Sequence, residues 1–298
     1  MIITAKYGLP YQGSKSAIAE KIINFLPAGK RFVDLFGGGA AMSDYAVKSG
    51  KYETVFYNEI NPLLCDLVKK AIAGFYNYSV FKPEFISREQ FHSLKSIDGY
   101  VKYIWSFGND GRSYLFSPEL EPQKCSLHNF VVFSVKDDFI KSNFDDIEKF
   151  VAATDIHTRR RQLRRYMRIQ MAVRPHQELE QLERLQQLEI NNGSYLDYQY
   201  QDGDVVYCDP PYENTGGYGT VFDHKQFYDW AATRPYQVFF SSYQITDNRF
   251  KIIWQTPKQN LFNSGSGQFT VTEFLYTNKT IKPNRNDPLS LFQSVLYG

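Results

Sequence analysis

Arg31-Phe32-Val33-Asp34-Leu35-Phe36-Gly37-Gly38-Gly39 decides the fold class of this 298-residue chain. The apolar run 31–35 reads as a short buried strand. It flows into three glycines, which let the backbone turn sharply and approach a ligand closely, and then into a helical pattern through Val47. Upstream, Ile18, Ile22, Ile23 and Leu26 share one helical face, and Pro27 and Gly29 stop that helix. Downstream, 54–58 is a second strand closing with Glu59, and 62–73 is a further helix. Strand, glycine turn, helix, strand, helix is the opening of a parallel α/β sheet.

The alternation then breaks. Residues 75–175 carry helical and irregular patterns with many aromatics and no second strand–helix series. The rhythm resumes at Leu188-Glu189-Ile190, at 204–208 and at 237–242. Two more runs, 250–255 and 270–277, are expected to pair as a closing hairpin around the glycine-rich stretch 264–267, and the tail from Lys279 to wrap the surface. The expected organisation is one α/β domain from 1–74 and 186–298, interrupted by an inserted region over 75–185.

Composition bounds the function. Hydrophobic residues are 43% of the chain, enough for a full core. The 22 Tyr and 24 Phe mostly furnish that core, with a few left to stack on bases or a nucleoside. A net charge of +2 neither demands nor excludes nucleic acid. Cys65, Cys125 and Cys208 are far apart and the five histidines are scattered, so neither a disulfide framework nor a metal site is expected. No apolar run approaches a membrane span and no signal-peptide pattern opens the chain, so a soluble cytoplasmic protein is the expectation.

The glycine turn and its flanks suit a nucleoside ligand. Asp34, Gly37 and Gly38 stand where a strand ends before a helix, and free N–H groups there favour polar atoms. Glu59, 25 residues past Asp34, ends the next strand. An acid so placed accepts hydrogen bonds from both ribose hydroxyls, although it also reads as a helix N-cap. Three consecutive glycines are not the G-x-G-x-x-G of nicotinamide enzymes, which disfavours an oxidoreductase. In Tyr11-Gln12-Gly13-Ser14-Lys15, Lys15 suits the carboxylate of a bound amino-acid moiety and Tyr11 a sulfonium over a ring face. An exposed Lys and a core Tyr are the alternative.

Asp209-Pro210-Pro211-Tyr212 follows the buried run Val205-Val206-Tyr207-Cys208. Two prolines stop the strand and stiffen the loop, at the strand end where open α/β sheets bind ligands. The N6 amine of adenine is a poor nucleophile, because its lone pair is delocalised into the ring. The Asp209 carboxylate and the Pro210 carbonyl together are suited to accept both N6 hydrogens of such an amine. That draws the nitrogen toward tetrahedral geometry and turns its lone pair toward a sulfonium methyl. Such a transfer needs alignment more than a strong base. In that reading Tyr212 would stack on the purine for roughly 1–3 kcal/mol, and a base in a duplex would have to leave it to arrive. A plain turn is the bland alternative.

These motifs resemble the Dam-like, D12-class adenine-specific DNA methyltransferases, particularly those of phages and prophages. The resemblance covers most of the chain, through 11–15, 34–40, Asn58-Glu59-Ile60-Asn61, 105–114, 193–197, 209–212 and 273–278. It implies a Rossmann-like methyltransferase sheet with an inserted, mainly helical target-recognition domain. It implies S-adenosylmethionine as cofactor, contacted by Tyr11, Lys15, Glu59 and Asp209, with Ser194 and Tyr195 near its adenine. Ala40 departs from the pattern, standing where a further glycine is usual.

Double-stranded DNA is the expected partner. Asn109, Gly111 and Arg112 resemble the family's region near DNA. Over 156–173, Arg160, Arg161, Arg164, Arg165 and Arg168 fall within roughly a 140° arc of a helix, opposite Leu163, Tyr166, Met167, Ile169 and Val173. Such a face tracks phosphates or reads guanine edges, or is merely solvated beside Glu178, Glu180 and Glu183. The segment that GATC-specific members use is not recognisable after Phe116, so GATC specificity does not follow. Gly216, Gly217 and Gly219 suggest a loop that closes over a flipped base. Methylation of an RNA amine, and a catalytically silent DNA-binding relative, remain as other readings.

Overall fold

A computed structural model describes residues 6–77, 79–143, 156, 158–159, 179, 181–213, 222–259 and 270–279. The chain divides into two compact units, Met1–Asp204 and Val205–Gly298.

In the first unit, β1 (Gly29–Asp34), β2 (Tyr52–Asn58) and β3 (Leu188–Asn191) are parallel, in the order β3-β2-β1. Asp34 is level with Tyr57 and Asn58 with Asn191. All three carboxyl ends therefore open on one edge, which is where the glycine turn, Glu59 and Gly193-Ser194 emerge. Asn58 fastens that edge: its Nδ2 donates to Leu35 O and Gly193 O, both at 3.0 Å.

The helices form where the pattern puts them. α1 (Ala19–Phe25) buries Ala19, Ile22 and Ile23, and α2 (Ala41–Ser49) is the crossover from β1 to β2. α3 (Pro62–Ile72) starts with Asn61 as N-cap, its Oδ1 accepting from Leu63 N and Leu64 N, and with Pro62 in the first turn. That pairing is favoured because proline forfeits an N–H that has no partner there. α3 buries Leu64, Leu67, Val68 and Ile72, each contributing about 1.5–3 kcal/mol.

Between α3 and β3 the described elements are helical: α4 (Arg88–Leu94) with a Ser87/Gln90 capping box, a π-helical turn Tyr100–Ile104, α5 (Glu121–Phe133) and α6 (Asp138–Asn143). A satellite core of Leu127, Phe130, Val131, Val132, Ile140 and Ile156 gathers on α5 and α6. Much of the aromatic excess is packing: Tyr76 stacks on Tyr100, and Phe85 meets Trp105 edge-on.

In the second unit, β4 (Asp204–Cys208) runs parallel to β5 (Val238–Ser242). Between them lies α7 (His224–Thr233), capped by Asp223 and burying Phe227, Tyr228, Trp230 and Ala231. β6 (Lys251–Gln259) and β7 (Thr270–Thr277) form the expected antiparallel pair, and β7 also lies antiparallel to β5. Parallel strands with helical crossovers and a closing antiparallel pair make the α/β, Rossmann-like class. Among the described residues, no helix is long and apolar enough to cross a membrane.

The expected arginine-faced helix lies outside the described residues except for Ile156, Thr158 and Arg159. Arg159 is buried and donates to the last carbonyls of α5, at 2.6 Å from Val131 O and 3.1 Å from Val132 O. The glycine loop 216–219, the stretch 264–267 and the tail beyond 279 also lie outside the described residues.

Candidate active site

The glycine turn is shaped by what touches it. A Cβ on Gly37 would lie 2.2 Å from the Tyr57 ring. Gly38 has φ +49°, and its carbonyl accepts the Tyr57 hydroxyl at 2.8 Å. Ala40 follows in the left-handed region at φ 63° and is fully buried. Alanine is thus accommodated, buried and left-handed, at the position where the resemblance expects a further glycine. Asp34 faces inward, its Oδ2 accepting from Ser43 Oγ at 2.7 Å, which ties the end of β1 to α2.

Glu59 reaches across to this turn. Its Oε2 accepts from Gly38 N at 2.9 Å and its Oε1 from Asn61 N at 2.8 Å. Only 9% of the residue is exposed. Burial raises its pKa, while the main-chain amides of Asn61, Gly38 and Ile60 pull it back. The N-cap role that was the alternative for Glu59 belongs to Asn61. Glu59 O accepts from Gly193 N at 3.3 Å and Asn192 Nδ2 at 2.7 Å, which draws the next segment in. There Ser194 Oγ caps the turn Tyr195–Asp197, and the buried Tyr195 ring lies 5.1 Å from Phe36. Gly37, Gly38, Glu59, Ser194 and Tyr195 thus share one strand edge.

Tyr11 belongs to the same place. A Cβ on Gly38 would lie 3.4 Å from Tyr11 Cε1. Lys15 is buried, with Nζ 3.4 Å from Gly13 O. Leu9 N donates to Gly39 O at 2.6 Å and Gly8 N to Asp44 Oδ2 at 2.8 Å, which hold this segment on the turn. Asp44, Arg184 and Tyr103 were not singled out in the sequence, and Asn61 entered only with the motif 58–61. An acid directly after the apolar and small residues Ala40-Ala41-Met42-Ser43 was the one visible sign.

Asn109 and Arg112 separate. Asn109 is buried at φ 57°, and its Nδ2 donates to Tyr103 O at 2.8 Å, so it shapes its own loop. Arg112 is exposed, with Nε 2.9 Å from Asp110 Oδ2. Arg160, Arg164 and Arg168 lie outside the described residues.

In the second unit, the buried run of β4 ends in Asp209-Pro210-Pro211-Tyr212. Pro210 and Tyr212 are buried. Pro211 O is 2.8 Å from His224 Nε2 at the start of α7. The Tyr212 hydroxyl donates to Glu273 Oε1 at 2.7 Å, and its ring meets Tyr243 edge-on at 4.7 Å. Burial drives the Tyr212 pKa far above the usual phenol value, and negative Asp209 and Glu273 add to it. Glu273 is an acid at an inward position of the β7 alternation and is completely buried.

A family model described as D12 class N6 adenine-specific DNA methyltransferase matches residues 11–264, from Tyr11 through the glycine turn and Glu59 to beyond Tyr212. No individual curated protein matches the chain. With most of its length, its glycine turn and its Asp209-Pro210-Pro211-Tyr212 loop inside that match, the chain belongs to the D12 class of N6 adenine-specific DNA methyltransferases.

Proposed function

We propose that the chain transfers the methyl group of S-adenosylmethionine to N6 of a flipped-out adenine in a specific sequence of double-stranded DNA. The observation that carries this reading is the convergence of Glu59 and Gly38, 2.9 Å apart, on the carboxyl edge of parallel strands. The residues fit an adenosyl ligand. Glu59 brings two carboxylate oxygens to the edge for ribose hydroxyls. Tyr195 and Phe36 offer ring faces for its adenine. Gly38 leaves backbone where a side chain would stand against Tyr11. Tyr11 lines the turn beside the sulfonium, and Lys15 meets the carboxylate of the amino-acid end.

S-adenosylmethionine supplies an electrophilic methyl group on a positively charged sulfur. The chain supplies alignment. Asp209 and the Pro210 carbonyl accept the two N6 hydrogens; Pro211 O already has His224 at 2.8 Å. Tyr212, held at its hydroxyl by Glu273, presents its ring to the purine. As N6 bonds to the methyl carbon, that carbon's bond to sulfur would break and leave a neutral thioether; the amine becomes cationic, and the Asp209 carboxylate would stabilise that charge until one N6 proton passes to solvent. The inserted region 75–185 reads the target, with Arg112, Arg160, Arg164 and Arg168 on the DNA.

Radiolabelled methyl transfer to matched duplex DNA and RNA tests this. The expected product is N6-methyladenine in the DNA, confined to one sequence context. Label in RNA alone, or DNA binding without transfer to any sequence, would overturn the reading.

A further inference from the structure

Tyr103 lies inside the π-helical turn Tyr100–Ile104 and is only 4% exposed. A π-turn widens the helix at a cost in stability and is found disproportionately at functional places. Here it brings one residue against two different structures.

Toward the glycine turn, the Tyr103 hydroxyl accepts from Asn61 Nδ2 at 2.6 Å, and its ring meets Tyr11 edge-on at 5.5 Å. Asn61 in turn donates its main-chain N–H to Glu59 Oε1. Toward the other side, Tyr103 O accepts from Asn109 Nδ2 at 2.8 Å and from Ser106 Oγ at 3.3 Å. Ser106 Oγ also accepts from Gly111 N at 2.9 Å. Gly111, at φ +73°, packs on the ring, since a Cβ there would lie 3.3 Å from Tyr103 Cε1. The side chain of Tyr103 thus braces Tyr11 and, through Asn61, Glu59. Its main chain and ring edge brace the 106–111 turn. Burial, then the Glu59 charge, pushes its phenol up to about 12, so the hydroxyl stays neutral across working pH.

We propose that Tyr103 is a positioning residue that makes the donor site and the 106–111 turn one mechanical body, so that a ligand on Glu59 and Tyr11 steadies the turn that carries Arg112. The inference rests on the donor site being where the proposed function puts it. Energetic coupling needs a physical connection with differential contacts at both ends, and Tyr103 makes contacts at both.

The test is hydrogen exchange of the 106–114 amides with and without saturating S-adenosylhomocysteine, alongside calorimetric affinity for that ligand. In the wild-type chain the ligand is expected to slow exchange there by about fivefold or more, the lower end of ordinary coupling. Tyr103→Phe keeps the ring and loses the acceptor for Asn61. It is expected to bind S-adenosylhomocysteine several-fold more weakly and, when saturated, to slow 106–114 by less than half the wild-type factor. Asn61→Ser keeps a capping oxygen for α3 and breaks the same bond from its other end. The double variant should be no worse than either single one. Wild-type-like slowing in Tyr103→Phe, or additive losses in the double variant, overturns the proposal. So does ligand binding to the wild-type chain with exchange of 106–114 unchanged. If the wild-type chain binds no S-adenosylhomocysteine, the donor-site reading falls and this inference with it.

Discussion

Arg184 grips Asp44 with both ends of its guanidinium, Nη2 lying 2.6 Å from Oδ2 and 2.8 Å from Oδ1, and Nε 3.1 Å from Oδ1. The Asp44 side chain is wholly buried, and it also accepts Gly8 N. One carboxylate therefore fastens three segments: α2, the turn Gln181–Leu185 and the strip leading to Tyr11. Removing one partner of a buried pair leaves an uncompensated charge, at a cost of about 3–5 kcal/mol. The Arg184 side chain is 42% exposed, so water recovers part of that cost. Arg184→Ala is expected to destabilise the first unit by roughly 2–3 kcal/mol, read by denaturant unfolding. A shift within about 0.5 kcal/mol, ordinary for a surface change, would reduce the pair to a surface contact.

Ala40 sets two effects against each other. A non-glycine residue in the left-handed region costs roughly 1–2 kcal/mol, which glycine would relieve. Glycine also frees the unfolded chain by about 0.5–1 kcal/mol and removes a buried methyl worth about 0.8 kcal/mol. Ala40→Gly is therefore expected to change stability by less than about 1 kcal/mol, which explains how the chain tolerates alanine there. Ala40→Val has no such compensation. It should lower the melting temperature by several degrees, and an unchanged melt would show that the turn relaxes to another conformation.

Much of this was legible because the deciding signals are local. The run at 31–35, its glycines and the acid closing 54–58 gave β1, the turn and β2 to within two residues. The Asn61-Pro62 pair marks its helix start without tertiary help. β6 runs to Gln259, four residues beyond expectation, because pairing with β7 carries it past the end of the apolar pattern. What stayed hidden is long-range. Asp44 and Arg184 are 140 residues apart, and a lone acid on a helix ordinarily reads as surface. Tyr103 was one aromatic among many, since the spacing of a π-turn is indistinguishable from that of an α-turn over five residues. By resemblance Asn109 reads as a residue near DNA, whereas a left-handed backbone and a bond to Tyr103 that no local pattern announces make it internal.

Glu59 gives a pH signature with two opposite signs. Its pKa is raised in the folded chain, chiefly by burial. Such a carboxyl contributes most stability below its unfolded value and loses that contribution as pH rises through the folded value. Donor binding runs the other way. It needs the ionised form to accept ribose hydroxyls, so affinity should fall as pH drops through that raised value, earlier than for an ordinary glutamate. Glu59→Gln keeps one acceptor oxygen but turns an amide toward an N–H. It should weaken S-adenosylhomocysteine binding by about tenfold or more, the loss of one charged hydrogen bond, and flatten this pH dependence. Persistence of the same pH profile in the variant would assign it to another group.

In the catalytic loop, the ring and the hydroxyl of Tyr212 have separate tasks. The ring is proposed to stack on the purine, while the hydroxyl holds the ring in place against fully buried Glu273. Tyr212→Ala should lose roughly 1–3 kcal/mol of base stacking, seen as a fall in kcat/KM for DNA. Tyr212→Phe retains the stacking face and should fall much less. Glu273→Gln still accepts the phenol hydrogen and should hold activity near wild type, whereas Glu273→Ala frees the ring and should approach Tyr212→Ala. Asp209→Ala should abolish transfer in every background without unfolding the chain, because it removes an acceptor from the amine and not a support from the ring. If Tyr212→Phe proved as damaging as Tyr212→Ala, the hydroxyl and not the ring would carry the function, and Glu273 would become part of the chemistry instead of its scaffold.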